Sequence, residues 1–234
     1  MNFINQIENG RISIGIACAF NIDALAYPPL FEAELEQWIS LRKQPLNGKE
    51  DAIRKAARDM LRNGSYKPTG RGKPASEYLL RATQEGNFPR INAPVDINNL
   101  ISIKYLLPIS LWDLTLAGVE DFVFRLGKVG ETYVFNAGGQ EIGLQDLPVG
   151  CALVPEAPLG LPIVNPIKDS LRTKTLPQSR DIVAAIYAPS QTINNEELHK
   201  ISSEFATLLG ACGSTSTPVA GVIPPEGQLY LPRA

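Results

Sequence analysis

Basic side chains that can bind phosphate are concentrated in one stretch of the sequence. Residues 42–90 contain twelve lysines and arginines and five acidic residues, a balance of +7, whereas residues 1–41 carry −4 and residues 91–234 carry −5. Clustered cations of this kind attract the phosphates of nucleic acids, but a Lys/Arg-rich run is equally typical of solvated helix faces. The stretch therefore has two interpretations, a phosphate-binding face and an ordinary solvent-exposed surface.

Side chains for metal, thiol or histidine chemistry are few. The chain has one histidine, His199, and three cysteines, Cys18, Cys151 and Cys212, with no Cys-x-x-Cys pair. Neither a disulfide framework nor a zinc site of ordinary spacing can be built from this set. The sequence also has no glycine-rich nucleotide-binding loop and no Gly-x-Ser-x-Gly motif. We expect no metal and no cofactor, with Cys18 and Cys151 in the core and His199 on the polar side of a helix.

The overall composition is that of a globular protein. The 234 residues are 44% apolar and 20% charged, and the formal net charge is −2. No run approaches the roughly 18 apolar residues that a membrane-spanning helix needs, and the N-terminal residues do not have the pattern of a signal peptide. We therefore expect a cytoplasmic protein that does not associate with membranes.

The elements that must position the basic residues are helices and a loop. A β-branched apolar run at 12–22 predicts a buried strand. The segment 65–76, which contains two prolines and nearby glycines, predicts a loop that carries Lys67, Arg71 and Lys73. Apolar residues at helical spacing and the positions of glycine and proline predict four helices in this half of the chain. These helices are expected at 29–43, 50–63, 75–85 and 95–106.

The second half of the chain has the sequence pattern of a β-sheet. Short segments rich in Val, Phe and Tyr, separated by glycine-containing turns, predict an antiparallel meander, followed by a strand at 182–189 and a helix at 195–209. The tail after this helix is expected to be loosely held. We predict a single α+β domain over 1–234, with an antiparallel β-rich core, a sandwich or partial barrel, flanked by helices. The strand and helix within 12–43 and the helix at 195–209 are its flanking elements.

A cluster of polar residues interrupts the apolar pattern of the fourth helix. Asp96, Asn98 and Asn99 lie among apolar residues in the stretch 87–114. Polar side chains on a mostly buried helix must be hydrogen-bonded, so a bracing role for neighbouring loops is expected.

The same stretch carries a family resemblance. The segment PVDINNLISIKYLLPISLWDL (94–114), the strands around FVFRLG and GETYVF, and DSLRT (169–173), preceded by GRGKPASEYLLRA (70–82), resemble the B3/B4 domain of the beta subunit of bacterial phenylalanyl-tRNA synthetase. They are still more similar to stand-alone proteins that consist of that domain. The resemblance covers 66–188. It implies a β-rich α+β fold with a cleft between its layers.

In the synthetase this cleft is an editing site, where the ester of a wrongly charged tRNA is hydrolysed. The aminoacyl ester is already activated, so a positioned water, polar groups that hold the ammonium and ribose, and stabilisation of the oxyanion can suffice. Ser110 stands where the family has a histidine, and Lys168 and Asp169 lie near the family's glutamate position. Both departures bear on whether the editing mechanism transfers to this chain.

The resemblance implies a set of site residues. Asp169 would hold the substrate ammonium or orient water, and Ser110 would hydrogen-bond the ester or the attacking water, so these two are the candidate catalytic residues. Lys168, Arg172 and Asn98 are the candidate substrate-binding residues. The alternative is structural: DSLRT is a turn whose Asp and Ser cap local backbone groups, and Ser110 opens the next turn.

The leading hypothesis is a free-standing tRNA-interacting protein that deacylates misacylated tRNA in trans, with tRNA rather than DNA as its partner. The candidate phosphate contacts are Lys67, Arg71, Lys73, Arg81 and Arg90. The rival hypothesis is a non-catalytic module of the same fold that binds RNA or an amino acid. A third possibility is an unrelated small-molecule enzyme built on the same cleft. Phosphate contacts predict an affinity that falls steeply as salt rises.

Overall fold

The computed structural model of the protein describes residues 1–8 and 10–233. This part of the chain forms eleven strands and six helices. The strands are β1 (Asn2–Asn5), β2 (Ile12–Ala19), β3 (Ile109–Asp113), β4 (Asp121–Leu126), β5 (Thr132–Val134), β6 (Glu141–Gly143), β7 (Pro148–Val154), β8 (Ala157–Val164), β9 (Ile182–Pro189), β10 (Val219–Ile223) and β11 (Gln228–Tyr230). The helices are α1 (Phe31–Arg42), α2 (Gly48–Asp59), α3 (Ala75–Gln84), α4 (Ala93–Tyr105), α5 (Leu114–Ala117) and α6 (Asn195–Gly210).

The strands form two larger sheets and a hairpin. A five-stranded sheet has the order β11-β1-β4-β7-β8, a four-stranded sheet has the order β10-β2-β9-β3, and β5 pairs with β6. Neighbouring strands are antiparallel except for the parallel pair β1 and β4. The prediction of an α+β fold with an antiparallel β-rich core flanked by helices is confirmed. Neither of the larger sheets in the described residues closes into a barrel.

The two larger sheets contact each other through aromatic side chains. The ring of Phe124 on β4 lies 6.2 Å from that of Tyr187 on β9, edge to face, and Trp112 on β3 lies 5.2 Å from Phe122 on β4. Every residue of β2 and β9 is buried, since these strands are covered on both faces. Strands of this kind have continuous apolar sequences, which is why both could be predicted from the sequence.

Helix α6 approaches the four-stranded sheet very closely at Gly15 in the middle of β2. A Cβ atom on Gly15 would lie 2.3 Å from Oγ of Ser202 and 2.9 Å from a methyl carbon of Leu198. Position 15 therefore requires glycine, because any side chain would overlap with Ser202 and Leu198 on α6. The helix begins at Asn194, whose side chain accepts a hydrogen bond from the backbone N–H of Glu197 at 2.9 Å, as the sequence suggests.

The four predicted N-terminal helices are all present as α1 to α4, with shifted ends. Helix α2 begins earlier than the sequence suggests because Asn47 and Glu50 form a reciprocal capping box. Helix α4 begins after Asn92, whose side chain accepts from the N–H of Val95 at 3.1 Å, and Pro94 lies within its first turn.

The C-terminal tail is not loosely held, so that expectation is wrong. Strand β10 pairs with the edge of β2, and β11 pairs with β1. The N–H of Leu231 donates to the carbonyl of Met1 at 3.0 Å, and the Leu231 side chain is buried. The tail covers one edge of each of the two larger sheets, at β1 and β2, where backbone groups would otherwise be unpaired.

The remaining sequence expectations concern single residues and membrane helices. Cys18, Cys151 and Cys212 are buried free thiols, and burial raises their pKa values. His199 is exposed on α6. None of the helices in the described residues is both long and apolar enough to cross a membrane.

The contact at Gly15 gives a stability prediction. Gly15→Ala places a methyl group against Ser202 and Leu198 on α6, and overpacking of this kind costs about 1 to 3 kcal/mol. We expect a matching decrease in the free energy of unfolding, measured by urea denaturation. The control is Gly48→Ala on α2, where a Cβ meets nothing within 4 Å. Equal stability of the two variants would contradict the close approach of α6 to β2.

Candidate functional site

A cleft of about 400 Å³ lies between α4, β3 and the segment 165–175. Its lining combines apolar side chains with carboxylate, amide and ammonium groups. The apolar residues include Ile91, Val95, Ile109, Leu111 and Ile167. The polar groups belong to Asn98, Asn99, Asn165, Lys168, Asp169, Lys174 and Thr175. A concave site with an apolar lining and a few converging polar groups is the usual form of a small-molecule or end-group pocket.

Asp169 lies at the edge strand β3. Its Oδ2 accepts a hydrogen bond from the backbone N–H of Leu111 at 3.0 Å. Its Oδ1 is out of contact with solvent and has no hydrogen-bond partner in the described residues. Burial raises the pKa of Asp169 to about 6, against the opposing effects of the hydrogen bond from Leu111 and of the charge of Lys174. Burial therefore destabilises the charged form of Asp169, and Oδ1 has no hydrogen-bond partner in the described residues.

Asn98 is a second polar group with an unused acceptor. It projects from α4, and its Nδ2 donates to Oδ1 of Asn99 at 3.3 Å. Its own Oδ1 is buried and has no partner in the described residues. Buried acceptors are almost always hydrogen-bonded in folded proteins. Two unpartnered acceptors, on Asp169 and Asn98, that line one cleft indicate a site for a ligand that donates hydrogen bonds, such as an ammonium group.

Two lysines add positive charge to the same cleft. Nζ of Lys168 lies 4.0 Å from the centre of the Phe135 ring, a cation–π contact. Nζ of Lys174 donates to the backbone carbonyl of Phe135. Both lysines line the cleft, and both ammonium groups contact Phe135. Ammonium groups can bind a phosphate or stabilise an oxyanion.

A buried network holds the turn that carries Lys168 and Asp169. Oδ1 of Asn165 accepts from the backbone N–H groups of Ile167 at 2.8 Å and Lys168 at 2.9 Å. Nδ2 of Asn165 donates to the Tyr133 hydroxyl at 2.6 Å, which in turn donates to the carbonyl of Lys168 at 2.7 Å. The turn is thus fixed from behind, and the cleft is preorganised on this side.

Ser110 lies one layer behind the cleft. Successive side chains of a strand point to opposite faces, so Ile109 and Leu111 line the cleft and Ser110 points into the interior. Its hydroxyl is fully buried, donates to the carbonyl of Asn165 at 3.0 Å and lies 3.2 Å from the Tyr187 hydroxyl. Direct contact between Ser110 and a substrate in the cleft, as its assignment from the resemblance requires, does not fit this geometry.

Arg172 also lies apart from the cleft lining. It is exposed, and its backbone N–H donates to Oγ of Ser170 at 3.2 Å in a short 3-10 turn. Ser170 therefore caps local backbone, as the structural interpretation of DSLRT expects. Asp169 does not cap local backbone groups, because its carboxylate accepts a hydrogen bond from Leu111 on strand β3, which is distant in sequence.

A second concave surface lies between α2, α3 and the turn 70–73. We call it the basic groove; it has a volume of about 840 Å³. Its basic residues are Arg54, Arg58, Arg71, Lys73 and Arg81, and its acidic residues are Asp51 and Glu77. Arg54 and Arg58 both pair with Glu77. Neither Arg71 nor Lys73 takes part in an ion pair within the described residues, so their charges are available to a ligand.

The candidate phosphate contacts are not all in one place. Arg71, Lys73 and Arg81 line the basic groove, although Arg81 also pairs with Glu85 at 2.7 Å. Lys67 is exposed in the loop before the groove and is not part of its lining.

Arg90 lies outside the groove. Its guanidinium pairs with Glu32 at 2.6 Å and with the buried carboxylate of Asp96 at 2.7 Å, over the rings of Tyr27 and Phe31. Asp96 also accepts from the N–H of Ile91 at 2.8 Å, which confirms its bracing role. Arg90 thus holds the edge of the cleft, and a phosphate contact would require breaking these ion pairs.

The cleft and the basic groove meet at α3. An extension of about 250 Å³ shares Asn98, Asn99 and Ile109 with the cleft and is also lined by Tyr78, Leu79 and Ser102. Tyr78 lines both this extension and the basic groove. The basic groove and the extension of the cleft therefore adjoin at Tyr78.

Several residues of these surfaces are missing from the sequence-based set. Arg54 and Arg58 carry a detectable signal, since they lie four residues apart on the polar face of a basic helix. Lys174 and Tyr78 give no sequence signal of a site, because their positions depend on how distant segments meet.

Comparison with known proteins gives a loose structural likeness. No protein-family model and no curated protein matches the sequence. Among solved structures, the chain is similar to an N-terminal fragment of the phenylalanyl-tRNA synthetase beta-subunit from Pyrococcus horikoshii, with 10% identity and a TM-score of 0.41. The match covers 94% of this chain and 49% of that chain, so this protein spans about half the length of the fragment.

The buried carboxylate gives a stability prediction with a defined sign. The pKa of Asp169 is about 6 in the folded protein, and about 3.9 is usual for an unfolded aspartate. The folded state therefore binds the proton more tightly, so stability falls as pH rises from about 4 to about 6, and the cost is complete above that range. Asp169→Asn removes this cost. Relative to wild type, we expect the variant to gain about 2 to 3 kcal/mol between about pH 4 and pH 7.5.

Urea denaturation at both pH values measures this difference. The matched control is Asp121→Asn, which neutralises an exposed aspartate on β4 and should show no comparable gain. A stability difference between Asp169→Asn and wild type that does not change with pH would refute the assigned burial of the carboxylate.

Proposed function

We propose that the protein binds the aminoacylated 3′ end of a tRNA and hydrolyses the ester between amino acid and ribose. One observation carries the proposal: Asp169 and Asn98, which line the same partly apolar cleft, each have a buried Oδ1 without a hydrogen-bond partner in the described residues. The family resemblance of 94–114 and the adjoining basic groove agree with it. An aminoacyl group combines the required features, a hydrogen-bond-donating ammonium and an apolar side chain.

In this proposal the amino acid binds through both sides of the cleft. The substrate ammonium donates to Oδ1 of Asn98, satisfying an acceptor that is otherwise buried without a partner. The side chain of the amino acid packs against Ile109, Leu111 and Ile167. The volume of about 400 Å³ admits the side chain together with the ester and part of the ribose.

Asp169 acts as general base in the proposed reaction. Its free Oδ1 accepts a proton from a water molecule, whose oxygen attacks the carbonyl carbon of the ester. The tetrahedral oxyanion is stabilised by the ammonium group of Lys168 or Lys174. When this intermediate collapses, the bond from the carbonyl carbon to the ribose oxygen breaks, and the ribose oxygen takes up the proton that Asp169 received from the water. A carboxylate with a pKa of about 6 is ionised at neutral pH and more basic than an ordinary aspartate, which suits this role.

The RNA contributes binding through its phosphates. Arg71 and Lys73, whose charges are available in the basic groove, contact the backbone near the 3′ end. Arg54 and Arg58 remain paired with Glu77 and give the groove its shape and positive potential. Because the remainder of the chain is acidic, this attraction is local, and the affinity is expected to be modest.

A specific observation favours a second candidate function, a non-catalytic module that binds the same ligand. The position that holds a histidine in the resembling family is occupied here by Ser110, whose hydroxyl is buried and directed away from the cleft. On this hypothesis, Asp169 and Asn98 hold the ammonium and no water is activated. The two functions differ in one measurement, since both give saturable binding but only the first gives turnover.

The catalytic hypothesis is tested with a panel of misacylated tRNAs, including tRNA for phenylalanine charged with tyrosine. We expect loss of the ester with wild-type protein and a decrease of at least about 100-fold with Asp169→Asn, since a general base contributes 10²- to 10⁴-fold. The rate should rise with pH through about 6 and then level off, because Asp169 must be ionised.

Asp121→Asn serves as the matched control and should react like wild type. Saturable binding without ester loss would support the second function instead. Absence of both binding and hydrolysis across the panel would overturn the proposed ligand.

The role of the basic groove is tested by charge reversal. We expect the double variant Arg71→Glu/Lys73→Glu to bind tRNA more weakly and to lower the slope of log K against log salt by about 1 per lost phosphate contact. The control reverses the same number of charges at Lys128 and Lys200, exposed lysines outside the groove. Equal affinities and salt slopes for the two double variants would identify the basic segment as a solvated face.

A further inference from the structure

Tyr78 occupies a position that the proposed function leaves unused. It projects from α3 and is the residue that lines both the basic groove and the extension of the cleft. Its side chain is exposed, with 40% of its surface accessible. A ligand that runs from the groove into the cleft must therefore pass this ring.

The ring is held in place at its hydroxyl end. The Tyr78 hydroxyl donates to the carbonyl of Gly70 at 2.7 Å, and the Tyr66 hydroxyl donates to the carbonyl of Gly72 at 2.8 Å. A Cβ on Gly72 would lie 2.5 Å from the Tyr66 hydroxyl, so the turn 70–72 fits closely between the two tyrosines. Tyr78 is thus fixed to the turn that carries Arg71.

Charged groups surround the exposed ring. Arg71 and Arg81 line the basic groove together with Tyr78, and Glu77 lies in the same lining. Burial and Glu77 raise the pKa of Tyr78, whereas the positive charges of both arginines lower it. A fixed aromatic face beside cations is the arrangement with which proteins bind single-stranded nucleic acid, since bases stack on the ring while phosphates meet the cations.

We propose that Tyr78 is a stacking platform for a nucleobase at the single-stranded 3′ end of an RNA that passes from the basic groove towards the cleft. The proposal rests on the proposed function for the identity of the group that follows the base into the cleft. It adds a contact that does not depend on the amino acid: the nucleobase is held at the junction, with Arg71 placed for the adjoining phosphate.

The experiment separates the nucleotide from the amino acid. The first probe is a short single-stranded RNA that ends in CCA and carries no amino acid, and the second is phenylalanine methyl ester, which has no nucleotide. Binding of each is measured for wild type, Tyr78→Ala, Tyr78→Leu and Tyr78→Phe. The matched control is Tyr230→Ala, an exposed tyrosine on β11 with 72% accessible surface.

Stacking on an aromatic ring predicts a defined pattern for the RNA. Tyr78→Ala and Tyr78→Leu should weaken its binding about 10- to 100-fold, because leucine keeps apolar bulk but not the aromatic face. Tyr78→Phe and Tyr230→Ala should remain close to wild type. Binding of the methyl ester should be unchanged in every variant.

The remaining outcomes are distinct. The platform would be overturned if wild-type protein did not bind the RNA, or if Tyr78→Ala or Tyr78→Leu bound it as tightly as wild type. Equal loss of binding for the RNA and the methyl ester would also overturn it, because this result indicates a structural role for Tyr78. Wild-type protein that binds the RNA through Tyr78 but neither binds nor hydrolyses aminoacyl esters would leave the platform standing and refute the proposed function.

Discussion

The structure of the site depends on one hydrogen bond, from the backbone N–H of Leu111 to Oδ2 of Asp169. Strand β3 is the edge of the four-stranded sheet, and Leu111 lies between the residues whose backbone groups bond to β9. Its N–H would otherwise be an unsatisfied donor at a buried edge. The carboxylate satisfies this donor and fastens the segment 165–175 across the end of the sheet, and the space that remains between this segment, β3 and α4 is the cleft.

This arrangement has a cost that the fold does not require. A neutral side chain could accept the same hydrogen bond without burying a charge, yet Asp169 keeps a carboxylate whose pKa burial raises to about 6. The buried side chains of Tyr133 and Asn165 fix the turn, and Ser110 supports it from the interior. Costly burial of a charged group with a free oxygen, within a rigid surrounding, is typical of functional sites.

The fold and the site were predictable to different degrees. Strands β2 and β9 and helix α6 follow from local pattern, because each buries a continuous apolar run or an amphipathic face. The pairing of the tail could not be predicted from local pattern, because β10 and β11 form only against the edges of β2 and β1. Asp169 and Asn98, which the motif resemblance proposed, both lie in the lining of the cleft. The resemblance could not indicate that Ser110 points into the interior, because the face to which a strand residue points depends on register. Tyr78 is recognisable only when α3, the turn 70–72 and the cleft are seen together.

Helix α3 connects the two surfaces mechanically. Its first N–H, at Ala75, donates to the carbonyl of Pro166 at 2.9 Å, in the same turn that carries Asp169. The groove and the turn that lines the cleft are therefore joined through α3. In the proposed function, a polymer held weakly by its phosphates in the groove would place its terminal group near the carboxylate. Binding energy from remote parts of a ligand can then position the reacting bond, which is how modest and salt-dependent contacts contribute to specificity. The net charge of −2 conceals this arrangement, because the positive charge that matters is local to the groove.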